Sequence, residues 1–200
     1  MNRREILKMI AAATGTAFVG SNALAYDMVP KVKLADTGFS KDDVAYLNEI
    51  GETIIPRTDT PGAKDANVGL TMAIMVADCY SQPARDAFKQ GMVTLKQAAT
   101  NAFGKDFLLL TSEQKLTLLT ELDEEAKLYN QKMHELAEQK TEAESSVERV
   151  PHYFSLMKQL VLFSFFTSEI GANKVLRYVA IPSRYDGEFP YKKGDRAWAT

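Results

Sequence analysis

Apolar residues recur at helical spacing along most of this chain. Phe39-Ser40-Lys41-Asp42-Asp43-Val44 predicts a helix start. Ser40 can cap it, Asp43 can close a capping box and Phe39 can staple to Val44. Leu47, Ile50 and Ile54 continue one face. Val68, Met72, Met75 and Cys79 predict the stripe of a second helix. Pro83 suits the first turn of a third, with Phe88, Met92, Leu95, Ala99 and Ala102 as its stripe and Gly104 as its C-cap. A capping-box pattern at Thr111 to Gln114 opens the longest helix. Leu119, Leu122, Ala126, Tyr129, Met133 and Leu136 predict one buried stripe on it. Glu121, Asp123, Glu124, Glu125, Lys127, Lys132, Glu135 and Glu138 predict a solvated, mainly acidic face. The pattern fades near Ser145-Ser146.

Val150-Pro151 opens a helix of a different kind. From Tyr153 to Phe166 it is apolar nearly all round, yet too short to span a bilayer. It is either the central core helix or a helix with one face given to a partner. Thr167-Ser168-Glu169 then restarts the chain, and Ile170, Val175, Leu176 and Val179 predict a short last helix up to Pro182. The fold class is therefore all-α, an irregular bundle of about six helices over residues 39–181. Residues 26–38 show no period and read as an irregular lead.

Two further stretches break the periodicity. Residues 54–68 run Ile54-Ile55-Pro56-Arg57-Thr58-Asp59-Thr60-Pro61-Gly62-Ala63-Lys64-Asp65-Ala66-Asn67-Val68. The two prolines remove backbone donors and restrict the residues before them. Thr58, Asp59, Thr60 and Asn67 can bond nearby backbone, and Gly62 can take positive φ. This predicts a defined, self-bonded loop in which Arg57 and Asp59 pair with each other or with a partner. Residues 182–200 interleave Tyr185, Phe189, Tyr191 and Trp198 with Pro182, Gly187, Pro190 and Gly194. Such an extended aromatic tail is expected to dock on something.

The N-terminus changes the picture. Arg3-Arg4 with Leu7 and Lys8, a mild apolar run to Gly20, and Ala23-Leu24-Ala25 give a basic region, an apolar region and a small-x-small cleavage site. Residues 1–25 thus read as a twin-arginine export signal. That route carries folded cargo, which suits a partner that acquires its cofactor in the cytoplasm.

Composition adds mostly exclusions. A formal charge of −2 over 200 residues and a pI near 5.8 do not describe a nucleic-acid binder. A single cysteine, Cys79, rules out an intrachain disulfide and a thiol-based metal or haem site. On its apolar stripe Cys79 reads as a small hydrophobe, with an intermolecular disulfide as the rival. Nucleotide, flavin, c-type haem and nucleophile-elbow motifs are missing. His134 and His152 have no metal-spaced companion, and Glu124 and Glu125, adjacent on one helix, cannot face each other.

The chain resembles the gluconate 2-dehydrogenase subunit 3 family. The likeness rests on the export signal, on Leu47 through Ala63, on Phe165-Phe166-Thr167-Ser168-Glu169-Ile170-Gly171, and on Leu176-Arg177-Tyr178 with Pro182. The resemblance implies a small, cofactor-free subunit, not an enzyme by itself, in a membrane-associated complex. An FAD-dependent large subunit oxidises a sugar or sugar acid, and a multihaem cytochrome c passes electrons on. The small subunit accompanies the large one through the twin-arginine translocase into the periplasm and meets the membrane through its partners. Expected partner contacts are Arg57, Asp59, Phe163, Phe166, Glu169, Tyr185, Phe189, Tyr191 and Trp198, with the proline loop and the Thr-Ser-Glu block framing one docking surface. The alternative is a free periplasmic helical module that binds a small ligand.

Overall fold

The computed structural model describes residues 33–138, 149–181, 183–184 and 186–199. The export-signal residues Arg3, Arg4, Leu7, Lys8, Ala23 and Ala25, and Tyr185 in the tail, lie outside the described residues.

The described residues form an all-α fold. In chain order come α1 (Leu34–Thr37), α2 (Lys41–Ile54), α3 (Val68–Cys79), α4 (Gln82–Phe103), a 3-10 turn (Phe107–Leu109), α5 (Ser112–Glu138), α6 (Tyr153–Phe166) and a π-helical turn (Gly171–Val175). Local chemistry sets most of the ends. The Ser40 hydroxyl accepts from the Asp43 N–H while the Asp43 carboxylate accepts from the Ser40 N–H, a complete capping box. Thr111 and Gln114 exchange the same pair of bonds before α5. Gly104, at φ 66°, ends α4 in the left-handed region. Arg85 donates to the carbonyls of Ala77 and Tyr80, at 2.9 and 3.1 Å, and so satisfies the end of α3.

Helix α6 is the central element. It packs against α2, α3, α4 and α5. Its buried side chains, Phe154, Leu156, Met157, Leu160, Val161 and Phe165, join Tyr46, Leu47 and Ile50 of α2, Met72 and Val76 of α3, Phe88 and Leu95 of α4 and Leu119 of α5 in one core. Among the described residues no helix is long and apolar enough to cross a membrane.

The structure departs from the periodic reading in five places, one of them the end of the α4 stripe, where Ala102 is exposed. One turn of helix, α1, stands inside the stretch read as irregular. Cys79 is exposed, because α3 buries Val68, Met72, Ala73 and Val76 instead of following the stripe to its last residue. The stripe of α5 is buried at Leu118, Leu119, Leu122 and Ala126, but Tyr129 and Leu136 are exposed. At 27 residues, about 40 Å, α5 outruns the described elements that cover its first half. The expected last helix is the π turn alone. Leu176 is already extended, at ψ 179°, and Arg177 pairs with the tail.

Candidate functional site

The proline loop is held by two carboxylates that the local pattern did not single out. Glu52, in the last turn of α2, reaches across the loop's mouth. Its two oxygens accept the backbone N–H of Arg57 and of Lys64, each at 2.9 Å. Asp65 accepts the Gly62 N–H at 2.9 Å and pairs with the Arg57 guanidinium. Backbone bonds from Ala63 to the Ile55 carbonyl and from Thr58 to the Thr60 carbonyl, at 2.9 and 3.0 Å, complete the closure. The loop is therefore self-bonded, but through Glu52 and Asp65 and not through the side chains of Thr58, Asp59 and Thr60. Arg57 takes Asp65 as its partner, not Asp59, and Asp59 stands exposed. A Cβ at Gly62 would lie 2.5 Å from the Arg57 nitrogen and 2.6 Å from the Glu52 carboxylate, so this turn needs glycine for space.

The loop hands over to α3 at Asn67, which sits in the left-handed region at φ 49°. Asn48 on α2 secures the junction. It accepts the Gly69 N–H at 2.8 Å and donates to the Asn67 side chain at 2.9 Å. Below the loop, Glu49 bonds both Lys64 and the nearly buried Lys115 of α5, the latter at 2.8 Å. Burial would raise the Glu49 carboxyl, but the hydrogen bonds from Lys115 and Lys64 hold it below the ordinary range. Glu49, Glu52, Thr53, Pro56, Arg57, and Lys115 line a cleft of about 360 Å³ there.

The second block caps and restarts the chain. Thr167 donates from its backbone and its hydroxyl to the Phe163 carbonyl, at 3.0 and 2.7 Å. The Ser168 hydroxyl donates to the Phe165 carbonyl at 2.6 Å and accepts the Gly171 N–H at 2.9 Å. A side chain on Gly171 would collide with the Phe165 carbonyl, so glycine is needed here too. Glu169 is exposed. The two blocks are linked through α6. A Cβ on Gly51 would meet Val68 at 2.6 Å, Ala63 at 3.2 Å and Val161 at 3.9 Å, and Val161 is one turn before Phe165.

On α6 the exposed positions are Gln159, Leu162, Phe163 and Phe166, at i, i+3, i+4 and i+7, which is one helical face. Three of the four are large and apolar, with Leu162, Phe163 and Phe166 at 40%, 46% and 39% exposure. In the tail, Phe189, Tyr191 and Trp198 are exposed as well. Phe189 and Trp198 meet edge to face at 5.4 Å, and the Arg177 guanidinium lies 4.4 Å from the Trp198 ring. Among the described residues no three His, Cys, Asp or Glu side chains gather in a way that could hold a metal ion. His152 is nearly buried as the N-cap of α6. Its Nδ1 accepts from the Phe154 N–H at 3.3 Å, and burial lowers its pKa against the pull of Glu125.

Neither the curated proteins nor the solved structures contain a match to this chain. The model of the family described as gluconate 2-dehydrogenase subunit 3 matches residues 41–183, from the start of α2 to just past Pro182. That span holds the proline loop, all of α6 and the Ser168–Gly171 turn, and the chain belongs to the gluconate 2-dehydrogenase subunit 3 family.

Proposed function

We propose that this chain is a non-catalytic small subunit that binds an FAD-dependent sugar or sugar-acid dehydrogenase and escorts it through the twin-arginine pathway to the periplasm. The observation that carries the reading is the outward face of α6. A helix that already buries a complete apolar face also shows Leu162, Phe163 and Phe166 to solvent. Each of the three is roughly two-fifths exposed, so a partner that covers it gains part of the ~1.5–3 kcal/mol that full burial of a large apolar side chain is worth. Contiguous exposed apolar surface of this kind marks interaction sites. Family membership supplies the context, since the family is named as a subunit of a dehydrogenase.

In this reading the flavin and the c-type haems belong to the partner subunits. This chain contributes the docking surface and the Arg3-Arg4 signal. Loop 54–68 serves the surface by rigidity. Its backbone donors are taken by Glu52 and Asp65, so its shape is fixed before a partner arrives, which lowers the ordering cost of association.

The test is capture and export in the native host. The mature chain, used as bait, is expected to recover a protein with a flavin absorbance spectrum. Deleting the chain is expected to strand that flavoprotein in the cytoplasm. Changing Arg3 and Arg4 together to Lys is expected to hold back both proteins. Normal export of the flavoprotein in the deletion strain would sink the escort role.

A further inference from the structure

Helices α4 and α5 follow one another through the 3-10 turn, and α6 packs against both. At the start of α6 the space between them is filled. Tyr153 lies on Gly91 of α4, where a Cβ would come within 2.4 Å of the ring, and the His152 Nε2 stands 3.8 Å from a Glu125 oxygen. Nearer the 3-10 turn a groove of about 390 Å³ stays open. Ala98 and Ala102 of α4 line it together with Leu118 and Leu122 of α5. The leucines are buried beneath it, and the alanines are too short to close it.

The rim is acidic. Glu121 and Glu125 border the groove, with the neutral Asn101 among its lining residues. Spaced i, i+4, the two carboxylates share a face of α5, and like charges at that spacing destabilise a helix. Elsewhere on α5 acidic side chains have donors, with Asp123 taking Lys127 and Lys158, and Glu135 taking the Gln131 amide. Among the described residues Glu121 has no ion pair or hydrogen bond, and Glu125 has the His152 contact alone. Burial lowers the pKa of that imidazole, so it brings little positive charge. The lysines of α4 are engaged elsewhere. Lys89 lies over the Phe39 ring, and Lys96 reaches Asp43 and the Tyr46 ring. No Lys or Arg lines the groove.

The two halves of the groove ask for one kind of side chain. An apolar occupant would take the carboxylates out of water without pairing them, and an acidic one would be repelled. Arginine meets both halves, because its stem covers apolar surface while its forked guanidinium bonds carboxylates.

We propose that the α4–α5 groove docks a basic segment of a partner protein, with an arginine stem along Ala98, Ala102, Leu118 and Leu122 and its guanidinium shared by Glu121 and Glu125. The demand for a cation stands on this geometry, while the identity of the partner rests on the flavin-subunit reading above.

The experiment has two arms, both on the full mature chain. In the first, a hexa-arginine peptide is titrated in and amide chemical shifts are followed. Shifts are expected to concentrate at residues 98–102 and 118–125. Glu121→Gln with Glu125→Gln is expected to weaken the peptide about ten-fold at low salt, and Ala102→Phe, which fills the groove from an exposed position, to do the same. Glu135→Gln with Glu138→Gln removes equal charge further along α5 and is expected to change nothing. Shifts spread over all the acidic side chains, or an equal loss in this last variant, overturn the groove as a site. In the second arm the same variants are measured against the purified flavin subunit, with the same order of affinities expected. A flavin subunit that binds all of them equally overturns its docking in the groove and leaves the escort reading intact. If the unaltered chain fails to bind the flavin subunit, the escort reading falls and the peptide arm alone decides the groove.

Discussion

Lys115 holds its ammonium 2.8 Å from the carboxylate of Glu49, a residue 66 positions earlier in the chain. The pair ties the start of α5 to α2 just below the proline loop, and Lys64 in the loop shares the same carboxylate. The Lys115 ammonium also lies 5.7 Å from the centre of the Phe107 ring. Removing one member of a nearly buried pair leaves the other short of its partner. Because Glu49 keeps Lys64, Lys115→Met is expected to cost about 1–3 kcal/mol, below the full price of an orphaned buried charge. The double change Glu49→Gln with Lys115→Met is expected to cost less than the sum of the singles. Additive losses in denaturant unfolding would show that the two residues do not act as a pair.

That pair also marks the limit of what the sequence discloses. The capping boxes at Ser40–Asp43 and Thr111–Gln114, and the glycine stop at Gly104, are legible because donor, acceptor and backbone lie within four residues. Glu52 and Asp65 are not legible as loop clamps, because what they bond is decided by where the loop turns. Lys115 did leave a signal. It occupies an apolar-stripe position, three or four residues before Leu118 and Leu119, and a lysine there needs an anion. The failures on α3 and α5 share one cause. Periodicity tells which residues share a face, but not whether anything sits opposite that face. Cys79, Tyr129 and Leu136 fit the period and still end exposed.

The Tyr46 hydroxyl is buried and has no hydrogen-bond partner among the described residues, while its ring packs edge to face on Phe107 at 5.4 Å. Burial pushes its pKa far above the ordinary phenol range. Tyr46→Phe keeps the ring contact and removes the unpaired group. It is expected to leave stability unchanged or raise it by about 1 kcal/mol. A loss of that size in thermal unfolding would reveal a bond to this hydroxyl.

Glycine at 62 is a requirement of space. Gly62→Ala is expected to displace the Glu52 carboxylate from the Arg57 and Lys64 amides and to cost about 1–3 kcal/mol, the usual range for overpacking. Faster exchange at the amides of Arg57 and Lys64 would check the cause, since those two donors would be released together. Unchanged exchange with lowered stability would place the damage elsewhere.

Four groups give one response to acid. Burial lowers the pKa of His152. Hydrogen bonds from Lys127 and Lys158 hold Asp123 below the ordinary range. For Asp43 and Glu49 burial acts upward, but bonds from Ser40 and Lys96, and from Lys115 and Lys64, outweigh it. In each case the unfolded chain binds the proton more tightly than the folded one, so stability rises with pH. The His152 contribution is complete above its unfolded value of 6.5 and is lost as pH falls through the depressed folded value. The carboxylate contributions fade below the unfolded values of 4.5 for Glu49 and 3.8 for the two aspartates. The melting temperature is expected to fall in two stages between pH 7 and pH 3. His152→Asn, which keeps an N-cap acceptor, should flatten the upper stage and spare the lower. An upper stage that survives this change would belong to another group.

The docking reading is sharpest at Phe163-Ser164-Phe165-Phe166, where neighbouring phenylalanines divide between burial and exposure. Phe165 is buried, while its neighbour Phe166 is exposed and meets it edge to face at 5.2 Å. Phe163 is exposed one turn earlier. Phe165→Ala is expected to cost about 3–5 kcal/mol and to threaten the fold. Phe163→Ser and Phe166→Ser remove comparable apolar surface from the outward face and are expected to shift stability by at most about 1 kcal/mol, part of it from the lost ring pair in the second case. If α6 presents the binding anchor, each should nevertheless weaken capture of the flavoprotein by roughly 30-fold, the scale of a 2 kcal/mol hot spot. Stability and capture measured on the same three variants therefore separate a docking face from a core helix. Loss of capture that merely tracks loss of stability would remove α6 from the interface.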